Sequence, residues 1–290
     1  MKTRLITSGV AIVLALAIII LGSFYSIVIT IALSLVSVIL CGEYLSARKL
    51  NKNLKLFLPC LLFALIIPLL SYIGGVKFMY LPLCITIFAF VLCLCVCAVI
   101  FHRSIPFDDV IFSAFGVLLI SVSLSLMNII VWSDVVLDEE LNPTRPHTAF
   151  WIIICLGIPW IADSAAYFAG SYLGKHKLCP NISPKKTVEG AIGGVVAGTL
   201  FSMLFGLIFQ LIYGNITVYY LTLMLVGFIN SIVSIFGDLT FSLIKRSCKI
   251  KDFGSIMPGH GGLLDRFDSV LLCIPIVFIF SKIQYFFIVY

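Results

Sequence analysis

Four aspartates and a run of cations stand out in a chain that is otherwise nearly uncharged. Asp163 lies inside the apolar stretch IPWIADSAAYFAG, and Asp238 ends another in IFGDLTFSLIKR. Asp265 and Asp268 close the segment SLIKRSCKIKDFGSIMPGHGGLLDRFD over 242–268. Spacing groups these residues. Asp238, Ser242 and Lys245 stand at i, i+4, i+7, so a carboxylate, a hydroxyl and an amine share one helix face. Asp265 and Asp268, at i, i+3, share another, and Asp163, Tyr167 and Gly170 repeat the i, i+4, i+7 pattern. Carboxylates gathered beside lysines and arginines have the makings of a metal-and-phosphate site. Hard oxygen donors without a His/Cys cluster favour Mg²⁺ over zinc.

Each feature also has a plainer reading. A charge at the centre of a membrane helix costs about 2.5–3.5 kcal/mol on insertion scales, so Asp163 faces protein or water. It is then either a site residue or a hydrogen-bonded aspartate that joins helices. Asp265 and Asp268 suit the capping of a helix N-terminus, but capping accounts for neither Asp163 nor Asp238. The turn Pro258-Gly259-His260-Gly261-Gly262 can bring backbone N–H groups close to an anion, or it is an ordinary turn. Upstream, GSYLGKHKLCPNISPKKTVEG reads as a basic loop running into a helix. Ser183 fits an N-cap with Pro184 at N1. That places Lys185, Lys186 and Thr187 at a helix start, where backbone N–H groups attract anions. Alternatively, Lys175, Lys177, Lys185 and Lys186 only orient the protein or touch anionic lipid. Glu189 at the mouth of this helix favours its positive end or serves the site.

The elements that must position these groups are membrane helices. Of the 290 residues, 61% are hydrophobic and 11% charged, against about 25% charged in a soluble domain. Mean hydropathy is +1.19. Lipid demands that backbone polar groups be satisfied within the segment, and long unbroken apolar runs select helices over barrels. The fold class is therefore all-α and polytopic, with candidate spans near 5–22, 24–41, 56–73, 78–101, 110–132, 149–170, 190–213, 219–237 and 269–288. With the N-terminus in the cytoplasm, the inside segments are 1–4, 42–55, 102–109, 171–189 and 238–268. They carry two, four, one, four and five Lys or Arg, most of the 19 in the chain. The loop 133–148 falls outside, with Asp134, Asp138, Glu139 and Glu140 against Arg145. This is the positive-inside pattern, and it places the basic site loops in the cytoplasm. The net charge of +6 is spread through these short loops, which argues against a nucleic-acid partner.

The start, Lys2 and Arg4 before an apolar run, resembles a signal peptide. The run exceeds an h-region of about 7–15 residues and no A-x-A site follows, so a retained helix is expected. The ten cysteines show no metal or disulfide framework; Cys93, Cys95 and Cys97 alternate in an apolar run as small buried hydrophobes. Gly190, Gly194 and Gly198 form a small-xxx-small stripe for close helix packing, inside the bundle or in a homodimer. The chain divides into N-terminal helices over 1–148 and a C-terminal region over 149–290 that holds the chemistry, as one integral membrane unit.

The motif at the C-terminal end resembles that of the phosphatidate cytidylyltransferase, or CDP-diacylglycerol synthase, family. It comprises Ser242, Lys245, Arg246, Lys251, Asp252, Gly254, Pro258, His260, Gly261, Gly262, Asp265, Arg266 and Asp268 at the family's spacings. Asp163, Ala166, Tyr167 and Gly170 are similar to an upstream motif. Gly174, Lys175, Ser183, Pro184, Lys185, Lys186, Thr187, Glu189 and Gly190 are similar to a second basic one. The chain departs from the pattern at Val188 (usually Trp), Met257 (Leu or Ile), Phe241 (commonly Glu) and Ser171 (often Arg). Residues 1–148 match only as apolar helices.

The resemblance implies a reaction of CTP with phosphatidate to give CDP-diacylglycerol and pyrophosphate, at the bilayer of a bacterial cell membrane. It implies Mg²⁺, with a second ion such as K⁺, held by Asp238, Asp265 and Asp268, with Asp163 as a further ligand or an orienting group. Lys245 joins Asp238, Asp265 and Asp268 in the catalytic set. Lys185, Lys186, Thr187, Ser242, Arg246, Lys251, His260, Gly261, Gly262, Arg266 and Tyr167 would bind substrate. Two rivals remain: another phosphorylated lipid as acceptor, such as an isoprenoid or polyprenyl phosphate, and an ion or metal transporter. The transporter reading predicts paired broken helices near the midplane, whereas most of the charges here sit at one face.

Overall fold

The structure, a computed structural model, describes residues 9, 13, 16–22, 24–72, 80–137, 146–257, 261–284 and 286–289. Most of the first candidate span, the loop residues Asp138, Glu139, Glu140 and Arg145, and His260 lie outside the described residues. Six described helices are long and apolar enough to cross a membrane. Two apolar helices, Leu54–Leu70 and Val270–Ile283, are shorter. The expected nine spans are therefore not all found at full length. The chain forms two compact units, residues 1–149 with 248–266, and residues 150–247 with 267–290.

The first unit is built on helices α1 (Ser26–Ala47), α2 (Leu54–Leu70), α3 (Leu81–Ile100) and α4 (Phe107–Leu137). Apolar side chains give little drive for helices to associate in lipid, so buried polar side chains and close packing join them. Thr30 donates to Asn128 Oδ1 at 2.8 Å, and Asn128 donates to the Ser71 hydroxyl at 2.8 Å. Ser37 and Ser121 meet at 3.1 Å. The segment 248–266 folds onto this unit, with Phe253 buried and its ring 6.3 Å from that of Tyr44 on α1.

The second unit contains α5 (Pro146–Leu173), strands β1 (Lys177–Cys179) and β2 (Ser183–Thr187), α6 (Val188–Tyr213), β3 (Ile216–Val218), α7 (Tyr220–Ser247), α9 (Val270–Ile283) and β4 (Phe287–Val289). The one-turn helix α8 (Leu264–Phe267) precedes α9. The glycine stripe is buried inside this unit. A Cβ on Gly194 would stand 2.8 Å from the Ala162 carbonyl on α5, and one on Gly198 would collide with the Ser231 hydroxyl on α7. The stripe thus packs the unit's own helices and leaves no open face for a second copy.

Two expectations are corrected. Residues 183–187 do not begin a helix; they form β2, antiparallel to β1. The cap is Thr187, whose hydroxyl accepts from Gly190 N at 3.1 Å, so α6 starts at Val188. Thr187 at the N-cap reaches the N–H of the third helical residue, as N-cap hydroxyls do, and Pro184 sits in a two-stranded edge. The last helix does not run through 269–288. It ends at Ile283, and Phe287–Val289 pairs antiparallel with Ile216–Val218. Aromatic burial favours this ending: Phe286 packs on Trp151 with ring centroids 4.9 Å apart, and Phe287 packs on Phe150 at the same distance.

Candidate active site

In the second unit, three of the four predicted aspartates come together with two lysines. Asp238 comes from α7, Asp163 from α5, and Asp268 from the turn between α8 and α9. Gly237 makes the approach feasible. A Cβ there would lie 2.8 Å from the Asp268 carbonyl and 3.1 Å from Ser269 Cα, so only glycine lets that turn lie against α7. The face predicted from i, i+4 spacing is formed, with the Ser242 hydroxyl donating to Asp238 Oδ1 at 3.3 Å. On the other oxygen, the Lys186 ammonium lies 2.5 Å from Asp238 Oδ2. Lys245, one turn further along α7, stands 3.7 Å from Asp268 Oδ2.

Asp268 is buried, and its Oδ1 accepts from Ser269 N at 2.9 Å. Its carboxyl is pushed well above the usual carboxylate range, first by burial and then by the charges of Asp238 and Asp163; Lys245 and the Ser269 N–H pull it back. Asp163 faces the Ser269 hydroxyl and feels both Asp238 and Lys186. Three carboxyl groups and two ammonium groups thus share one partly buried space, and their mutual repulsion is relieved by the lysines.

Carboxylate oxygens are the hard donors that suit Mg²⁺, so the donor set fits the ion by its chemistry. As the side chains stand, no group of three or more His, Cys, Asp or Glu among the described residues could hold a metal ion. The Lys186 ammonium is paired with Asp238 Oδ2.

The other predicted residues are arranged differently. Thr187 is buried as the α6 cap. Lys185, Tyr167 and Arg246 are exposed. Lys251, Gly261, Gly262, Asp265 and Arg266 belong to the first unit. There Asp265 Oδ2 accepts from Phe253 N at 2.9 Å and from Gly262 N at 3.1 Å. Asp265 thus ties Phe253 to Gly262, while Asp268, three residues on, serves the lysine and aspartate cluster.

Two further acidic residues have definite structural roles. Glu189, on α6, accepts from His176 N at 3.2 Å and pairs with His176 Nδ1 at 2.6 Å, tying the hairpin that carries Lys186 to the helix. Glu43, on α1, falls within the segment 42–55 expected in the cytoplasm. It is buried, and a lone acid beside Gly42 at the end of an apolar run was the available signal.

A profile of the cytidylyltransferase family matches residues 2–284. The chain is 36% identical over 139 residues to a phosphatidate cytidylyltransferase of Bacillus subtilis (strain 168), covering 48% of this chain and 50% of that protein. It is 38% identical over 134 residues to one of Staphylococcus haemolyticus (strain JCSC1435), covering 46% and 50%. It is 36% identical over 149 residues to one of Synechocystis sp. (strain ATCC 27184 / PCC 6803 / Kazusa), covering 51% and 48%. The chain spans about half the length of the curated relatives it matches.

Proposed function

Since this chain belongs to the cytidylyltransferase family, we propose that it transfers the cytidylyl group of CTP to phosphatidate, giving CDP-diacylglycerol and pyrophosphate. The observation that carries this reading is the partly buried cluster of Asp163, Asp238 and Asp268 with Lys186 and Lys245. The names of the relatives supply the substrates.

The reaction sets the site a specific problem. A phosphate oxygen of the lipid bonds to the α-phosphorus of CTP, the bond from that phosphorus to the oxygen bridging to the β-phosphate breaks, and pyrophosphate leaves with that oxygen. The attacking group is already ionised near neutral pH, so no strong general base is required. The difficulty is bringing two anions together, and the remedy is positioning and charge neutralisation. Mg²⁺, held by Asp163, Asp238 and Asp268, with Asp265 as a further candidate ligand and K⁺ as a candidate second ion, would neutralise the phosphates and steady the leaving pyrophosphate. The Lys186 ammonium, paired with Asp238 Oδ2, would find a second anionic partner in a triphosphate. Lys245 stays on α7 beside Asp268 and limits the repulsion among the carboxylates.

Lys185, Arg246, Lys251 and Arg266 are proposed to receive phosphates, and Ser242, Thr187, Tyr167, His260, Gly261 and Gly262 to complete the substrate contacts. In this reading the protein lies in a bacterial cell membrane with its N-terminus and site loops in the cytoplasm. CTP enters from that side, and the lipid arrives sideways between helices.

The decisive experiment is pyrophosphate release from CTP by purified protein, with and without phosphatidate and Mg²⁺. Release that needs all three supports the reading. Release that is indifferent to lipid phosphate overturns it. A panel with isoprenoid and polyprenyl phosphates as acceptors separates phosphatidate from the other phosphorylated lipids.

A further inference from the structure

Glu43 is an acid at the end of an apolar membrane helix, buried to 6% exposure. Its two carboxylate oxygens are both engaged, and by a segment some 220 residues away in sequence. Leu263 N donates to Oε1 at 3.1 Å and Leu264 N donates to Oε2 at 2.7 Å. Two backbone N–H groups on one buried carboxylate are charge-assisted bonds, stronger than neutral ones.

The glycines of the same loop are fitted around this side chain. A Cβ on Gly254 would collide with Glu43 Oε1, and its nearest neighbours would all be Glu43 atoms. A Cβ on Gly262 would stand 2.6 Å from Glu43 Oε2 and 2.7 Å from Gly254 N. A second set of ties runs alongside. Tyr44, the next residue on α1, stacks near Phe253, whose N–H donates to Asp265 Oδ2; Gly262 N donates to the same oxygen. Gly261 holds φ +82°, a conformation that favours glycine. The loop is thus fastened at Phe253, Gly262, Leu263 and Leu264, and Glu43 holds the last two.

We infer that Glu43 is a positioning residue that fixes the loop residues Gly254 and 261–264, presenting Lys251, Gly261 and Gly262 to the phosphates of CTP. The nucleotide part of this inference rests on the proposed cytidylyltransferase function; the loop clamp does not. Glu43 itself touches no reacting atom. Its carboxylate substitutes for the water that would otherwise solvate two loop N–H groups, so the loop arrives at the nucleotide already ordered and less binding energy goes into ordering it.

The test uses the full-length protein in detergent, with Glu43→Ala, Glu43→Gln and Glu43→Asp. Limited trypsin digestion after Lys249 and Lys251, both exposed, reads loop order without any need for activity. Glu43→Ala should be cut about tenfold faster at these sites. Glu43→Gln, which keeps the shape and one acceptor, should fall between Glu43→Ala and the wild type, and Glu43→Asp should recover part of the protection.

In turnover, KM for CTP should rise about tenfold in Glu43→Ala while KM for phosphatidate stays within about twofold. Gly254→Ala should impair the wild type but add nothing in the Glu43→Ala background, because the atoms it would strike are gone. Equal trypsin rates in all variants, or independent effects of Gly254→Ala and Glu43→Ala, overturn the clamp. Equal proportional losses for both substrates overturn the positioning role. If the wild type does not consume CTP at all, the proposed function fails, and the trypsin rates of the Glu43 variants and of Gly254→Ala with and without Glu43→Ala still decide the clamp. Should Glu43→Ala not fold, Glu43→Gln carries both readouts.

Discussion

Lys186 crosses from strand β2 to place its ammonium 2.5 Å from Asp238 Oδ2 on helix α7, while Ser242 donates to Oδ1 of the same carboxylate. Asp238 is therefore held from both sides, and one holder is a cation on a surface hairpin. Asp238→Asn keeps the shape and the Ser242 contact but removes the charge. Activity in the pyrophosphate-release assay should fall about 10²–10³-fold, the range for loss of one electrostatic stabiliser in a transition state. Circular dichroism should show the helices intact. A variant within about twofold of the wild type would remove Asp238 from the chemistry.

The two adjacent lysines should behave differently. Lys186 is half-buried against Asp238, whereas Lys185 is exposed. Lys186→Met should lower kcat/KM for CTP about 30-fold or more, and Lys185→Met about threefold, as expected of a charge-assisted partner against a solvated one. Steady-state kinetics on the two single variants decides it, and equal effects would count against a special role for the Lys186–Asp238 pair.

Gly237 lies next to Asp238 in the chain, but its part is purely spatial. Its neighbours at the Cβ position are backbone atoms of Asp268 and Ser269, which cannot rotate away. Gly237→Ala should push that turn off α7, with about 1–3 kcal/mol of overpacking strain. Both thermal stability and turnover should fall. A variant with normal turnover would mean that the turn has slack and that Asp268 is not needed in its present position.

Much of this was legible from spacing. The Asp238–Ser242 contact follows from i, i+4 on a helix, and the stripe of Gly190, Gly194 and Gly198 from four-residue spacing, because both are local consequences of one helix. The hairpin Lys177–Thr187 was not legible. Ser183–Thr187 has no apolar alternation to mark a strand, and Ser-Pro is an equally good helix start. The different employment of Asp265 and Asp268 was hidden for another reason. Their i, i+3 spacing suggests a shared role, but their partners Phe253 and Lys245 are set by long-range packing. Glu43 was passed over because its partners are backbone N–H groups, which every loop has and no residue pattern announces.

Thr187 makes a prediction about stability alone. Its hydroxyl caps α6 by accepting from Gly190 N, and it fills the space beside Gly170 and Gly174. Thr187→Ala should cost about 1 kcal/mol. Thr187→Ser, which keeps the cap, should cost less. Thermal unfolding in detergent measures both, and equal losses would assign the effect to the methyl group's packing instead.

Lys245 and Asp268 face each other with side chains only 12% and 11% exposed, and Asp238 and Asp163 act on the same aspartate. Removing the ammonium with Lys245→Met leaves a buried carboxylate opposed by two others, which should lower stability by about 3 kcal/mol. A divalent cation bound among those carboxylates would relieve the same repulsion, so Mg²⁺ should raise the unfolding temperature of Lys245→Met by more than it raises that of the wild type. Binding to the folded state stabilises in proportion to RT ln(1 + [L]/Kd), so a Mg²⁺ titration of the unfolding temperature gives the affinity without reference to turnover. The control is Lys245→Met with Asp268→Asn, in which the excess charge is gone and the Mg²⁺ response should shrink. If Mg²⁺ shifts the wild type, the single variant and the double variant equally, the ion does not bind at this cluster.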